Sequence, residues 1–220
     1  MEASSTVQLD RPGLYRLALG LAIFTILYNL AEGVVSTFFG LEDESLTLFG
    51  FGVDSFIEVV SGIGIAYMVL RIQSKPGSLR EPFERTSLHI TGIAFYVLVG
   101  SLAVMSVYNF WTGHKPETTF WGLIISVVSI LVMCALVKAK TSVGKQLNSN
   151  AIIADAVCTK VCIYMSIILL ASSLIFELSG FVYIDSIGSL SLAYFSFKEG
   201  KECFEKAKSN KNCSCEDQCH

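Results

Sequence analysis

The chain has 220 residues, 52% of them hydrophobic and only 16% charged, with a mean hydropathy of +0.58. Soluble domains carry about 25% charge, so the composition excludes a mainly soluble fold. The net charge of -3 says little by itself, because the charges are segregated by loop, and no nucleic-acid partner is expected.

Apolar runs of about 18 residues or more recur along the chain, each enough to cross a hydrocarbon core of roughly 30 Å. They predict an all-α, polytopic membrane protein with six spans at about 15–39, 46–72, 88–111, 120–139, 151–176 and 182–197. The first ten residues, MEASSTVQLD, hold no Lys or Arg, and no small-residue cleavage site follows the first run. Span one is therefore read as a retained helix rather than a cleaved signal.

The loops carry the orientation. Arg11 and Arg16 lie at the N-terminus, Lys75, Arg80 and Arg85 follow span two, and Lys138, Lys140 and Lys145 follow span four. The tail adds Lys198, Lys201, Lys206, Lys208 and Lys211, whereas the other three loops hold one base, Lys115. By the positive-inside rule both termini are expected in the cytoplasm. Trp111 and Trp121 fall on the expected outer boundary, where interfacial Trp collects. The expected organisation is a cytoplasmic segment over 1–13, a transmembrane domain over 14–207 and a cytoplasmic Cys-rich tail over 208–220.

Of seven cysteines, Cys134, Cys158 and Cys162 lie in apolar segments. Cys203, Cys213, Cys215 and Cys219 lie in the basic C-terminal region, where cytoplasmic thiols stay reduced. The end of that tail, NCSCEDQCH, sets Cys213, Cys215, Cys219 and His220 close together, a candidate flexible tract for capturing metal. Cys134 is expected to be core.

Spans two and five carry residues that an apolar helix would not. Asp54 and Glu58 are four apart in span two, and Cys158 and Cys162 are four apart in span five. That spacing stacks each pair on one helix face. Asp54 lies nine residues from Ser45, and Cys158 lies nine from Ser149, so both sit about 13–14 Å deep. A carboxylate at mid-membrane costs roughly 2.5–3.5 kcal/mol on insertion scales and marks an ion or proton path.

Two carboxylates and two thiols suit a tetrahedral Zn²⁺ or a softer ion such as Cd²⁺, and disfavour Mg²⁺ and Ca²⁺. Four negative charges exceed those of one divalent ion, so some ligands should hold protons when no metal is bound. Metal binding would then release protons. Asp155 shares the face of Cys158 and either lines the inner approach or caps a neighbouring helix. Lys160 points nearly the opposite way from the cysteines. Glu32 in span one is its candidate partner; alternatively, Lys160 offsets the negative charge of the site.

Together these residues resemble the cation diffusion facilitator family, also called cation efflux proteins, over roughly Leu14 to Ala207. Asp54-Ser-Phe-Ile-Glu58 is similar to the family's D-x-x-x-D in span two. Ala154-Asp155 followed by Cys158 and Cys162 is similar to A-D-x-x-H-x-x-x-D in span five, with cysteines at the His and Asp positions. Asp185 stands where span six usually starts with Asp-Pro, and KQLNSNAIIADA is similar to the approach to span five. The resemblance implies a transporter, not an enzyme. It would export divalent metals, typically zinc, from the cytoplasm in exchange for protons, with no prosthetic group, and commonly as a homodimer in the cell membrane. Family members also carry a cytoplasmic C-terminal domain, where this sequence shows only the Cys-rich tail. A membrane metal sensor and a permease for a non-metal solute remain open beside that reading.

Overall fold

The computed structural model describes residues 11–74, 82–113, 119–147, 150–181 and 183–208. They form six α-helices: α1 (Arg11–Glu42), α2 (Leu46–Ser74), α3 (Pro82–Thr112), α4 (Phe120–Leu147), α5 (Asn150–Ser179) and α6 (Ile184–Lys208). Among the described residues there is no strand. The expected all-α bundle is present, and its helices run beyond the expected spans at several ends. Helix α4 continues through Leu147: Lys138, Lys140 and Lys145 are good helix formers, and Lys145, in the last turn, suits the C-terminal dipole. The tail residues Cys213, Cys215, Cys219 and His220 lie outside the described residues.

Among the described residues, five helices have stretches long and apolar enough to cross a membrane: Gly13–Glu42, Leu46–Gly64, Leu88–Trp111, Phe120–Leu147 and Thr159–Ser179. Helix α6 is less apolar because its second half is rich in Lys and Glu. Its outward face is nevertheless apolar, with Ile187, Leu190, Tyr194 and Phe197 all exposed. The bundle is inverted relative to a soluble protein. Leu27, Phe38, Val104 and Leu131 face outward, while Asn29, Asp54, Asn109 and Ser166 are buried. Lipid offers no hydrophobic incentive to hide Leu, so small and polar residues join Leu48, Phe51, Met165 and Leu169 in the helix contacts. This is a multi-pass membrane protein.

The helices pack most extensively as pairs: α1 on α2, α3 on α6, and α4 on α5. The α1–α2 pair is tight because glycines remove side chains from the seam. A Cβ on Gly52 would lie 2.6 Å from the Thr37 backbone nitrogen, and one on Gly33 would lie 3.1 Å from the Gly52 carbonyl oxygen. The chain turns between the two helices through Glu44, whose φ of 55° is left-handed. Here Ser45 N donates to the Gly40 carbonyl at 2.9 Å, closing the end of α1.

Helix α6 then clamps the start of α2. Asp185 accepts hydrogen bonds from Ser45 Oγ at 2.7 Å, Leu46 N at 2.8 Å and Thr47 N at 3.2 Å. Its carboxylate thereby caps amide groups that a helix N-terminus leaves unpaired, and it sits at the positive end of the helix dipole. These contacts fix the start of α2 on α6, while the rest of the helix packs on α1, α3 and α5.

Candidate metal centre

Helix α2 presents Asp54 and Glu58 to the bundle interior. Glu58 is the meeting point of three helices. Cys162 Sγ of α5 donates to its Oε1 at 2.6 Å, and Asn29 Nδ2 of α1 donates to its Oε2 at 2.9 Å. Cys162 and Asn29 are both buried. Asp54 lies one turn along α2 and is also buried, and its Oδ1 has no hydrogen-bond partner among the described residues. The α1–α2 glycine seam brings Asn29 within reach of Glu58, and the α2–α5 contact brings in Cys162.

The structure therefore unites Glu58 with Cys162, as the matched spacing anticipates. Among the described residues, no three His, Cys, Asp or Glu side chains converge on one metal position. The side chains of Cys158 and Asp155 lie outside the described residues, although both positions belong to α5. The third side chain at this junction is an amide, Asn29, a residue type that the carboxylate and thiol pattern does not include.

Glu32 is buried as well, but it does not serve Lys160. Tyr28 OH donates to Glu32 Oε1 at 2.9 Å, and Ser55 Oγ lies 3.2 Å from Oε2. Lys160 is exposed, on the outside of α5. The expected Lys160–Glu32 pair is thus corrected. The reason is packing: α1 lies against α2 and α4, not against the outer face of α5. Lys140 is a second correction. Expected in a loop, it is buried in α4, and its Nζ donates to Thr159 Oγ1 at 3.0 Å.

The charges around the site do not balance locally. Asp54, Glu58 and Glu32 lie near enough to repel one another, and Glu199 of α6 acts on both Asp54 and Glu58. The ammonium of Lys140 acts on Glu58 with the opposite sign and more weakly than the acids. A buried cluster rich in acid and bearing a thiol is chemically suited to a proton or a divalent cation. On the α4 side, Ser166 Oγ lies 2.7 Å from the Cys162 carbonyl and 2.9 Å from Ser129 Oγ. A serine bonded to the preceding turn in this way holds the backbone next to the thiol.

The pattern of the cation efflux transmembrane domain matches residues 19–209, from within α1 to just past α6. The chain is 28% identical over 192 residues to the manganese efflux system protein MneP of Bacillus subtilis, covering 82% of this chain and 64% of that protein. It is 26% identical over 176 residues to an uncharacterized transporter of Methanocaldococcus jannaschii, covering 78% of this chain and 62% of that one. The chain thus spans less than two thirds of the length of these relatives. With nearly all of its helical bundle inside the matched region, the chain belongs to the cation efflux family.

Proposed function

We propose that the protein moves divalent metal cations across the membrane through a site centred on Glu58 and Cys162, with Asp54 and Cys158 as further ligands. The observation that carries this reading is the buried contact between Cys162 Sγ and Glu58 Oε1, 2.6 Å apart and joining α2 to α5. A thiol that donates to a carboxylate still holds its proton. Thiolate, not thiol, is the metal ligand, so an arriving cation must displace that proton. Proton release then accompanies loading. Proton return from the opposite side would accompany unloading, which couples metal export to proton entry. The segregation of basic loops supports cytoplasmic termini, so the metal would enter from the end carrying the α2–α3 and α4–α5 connections. The Cys-rich tail lies on the same side in this reading and would collect metal there.

The thiols favour Zn²⁺ and Cd²⁺, while the carboxylates also accept harder ions. The name of the Bacillus relative specifies manganese, and an oxygen-rich half-site suits that ion. Reconstitution in proteoliposomes, with Zn²⁺, Cd²⁺, Co²⁺, Mn²⁺ and Ni²⁺ tested side by side, checks the reading. The expected result is saturable uptake of Zn²⁺ and Cd²⁺, slower uptake of Mn²⁺, and a counterflow of protons reported by a trapped pH dye. Binding without uptake would point instead to a metal sensor. Indifference to every metal would point to a permease for another solute. Either result would overturn the proposal.

A further inference from the structure

Asn29 has a role that the carboxylate and thiol pattern does not include. It is 1% exposed in the middle of α1, and its two amide ends are in different situations. Nδ2 donates to Glu58 Oε2 at 2.9 Å, while Oδ1 accepts no hydrogen bond among the described residues. The assignment of the two ends follows from chemistry, since a carboxylate oxygen requires a donor. A buried amide oxygen without a donor is destabilising, so a structural role alone would be better served by a residue without it. Asp54 Oδ1, on the neighbouring helix and one turn from Glu58, also lacks a hydrogen-bond partner among the described residues.

The geometry points to Asn29 as a selectivity-determining ligand, whose Oδ1 takes part in holding the cation beside Glu58. This inference rests on the reading of Glu58 and Cys162 as a metal site. Without metal, the amide N–H stabilises the Glu58 carboxylate. A cation held by Glu58 repels that N–H and attracts the carbonyl end, so the amide turns about its last torsion and presents Oδ1. The oxygen it adds is neutral, which matters where carboxylates already crowd one another. It is also a hard ligand of the kind Mn²⁺ prefers, whereas Cd²⁺ draws mainly on thiolate. Asn29 thus widens the site toward oxygen-preferring ions and contributes less to thiol-preferring ones.

The test uses the full chain in lipid nanodiscs with Cys213→Ser, Cys215→Ser and Cys219→Ser, so that the tail does not bind the probe. Mn²⁺ binding is read by loss of the free-ion paramagnetic resonance signal, and Cd²⁺ binding by thiolate charge-transfer absorption. Asn29→Leu, close in size, should weaken Mn²⁺ by at least about tenfold while changing Cd²⁺ by less than roughly threefold. Asn29→Asp, which keeps an oxygen and loses the N–H, should hold Mn²⁺ as tightly as the parent or more tightly. If both variants lose Mn²⁺ alike, Asn29 only positions Glu58 through its N–H, and the inference is overturned. Parent-like Mn²⁺ binding by Asn29→Leu overturns it too. Should Asn29→Leu not insert, Asn29→Asp decides, since loss of Mn²⁺ there rejects the oxygen as ligand. Glu58→Gln separates the two levels. If it keeps parent-like binding of both metals, the metal site itself is wrong; if it loses both while Asn29→Leu loses neither, only the role of Asn29 fails.

Discussion

Glu58→Gln should leave the protein inserted and folded but lower its metal affinity about a hundredfold, or about 2.7 kcal/mol, with metal transport lost at micromolar concentrations. Two opposed effects make this separable. The substituted amide keeps the volume of Glu58 and can still accept from Asn29 Nδ2 or Cys162 Sγ, the two groups bonded to the carboxylate. It also removes a negative charge from among Asp54, Glu32 and Glu199, which repel it. Removing an acid from low dielectric relieves desolvation, so thermal stability in detergent should hold or rise. A divalent cation, by contrast, loses a charged ligand at a carboxylate that already touches a thiol. Stability by tryptophan fluorescence and affinity by calorimetry on the same sample check the prediction. A collapse of stability alongside affinity would mean that Glu58 serves the fold, not a cation.

The double substitution Cys158→His with Cys162→Asp should invert selectivity rather than abolish function. It replaces soft sulfur with nitrogen and oxygen on the same helix face, because the two positions are four residues apart in α5. The ratio of Cd²⁺ to Zn²⁺ transport rates should fall by at least about tenfold, the loss expected when a soft ion gives up its thiolates. Asp54→Ala made in either background should remove transport of both metals, because it takes a carboxylate that no metal class replaces. The measurement is competitive uptake into vesicles with both ions present. A double variant with unchanged selectivity would mean that the thiols do not touch the transported ion.

The sequence discloses some of this site and conceals the rest for physical reasons. The spans were legible because lipid demands long apolar runs, and Asp54 and Glu58 stood out because carboxylates are costly there. The link between Glu58 and Cys162 was legible as matched i,i+4 spacing at similar depth on two helices. Asn29 was not, because an asparagine in a helix is unremarkable until the seam at Gly33 and Gly52 sets it against Glu58. Lys140 reads as a loop base in the sequence because it stands just past an apolar run. Only the packing of α4 on α5, with Thr159 waiting at 3.0 Å, shows why it is buried. Opposite charge alone suggests a Glu32–Lys160 pair, and charge carries no information about which side of α5 faces α1.

Zinc K-edge X-ray absorption on the metal-loaded chain, with Cys213→Ser, Cys215→Ser and Cys219→Ser to silence the tail, tests the central claim most directly. The account predicts a mixed shell, with sulfur at about 2.3 Å and oxygen at about 2.0–2.2 Å, that loses sulfur in Cys162→Ala and oxygen in Glu58→Ala. A shell of oxygen and nitrogen alone, or one unchanged by Cys162→Ala, would contradict it.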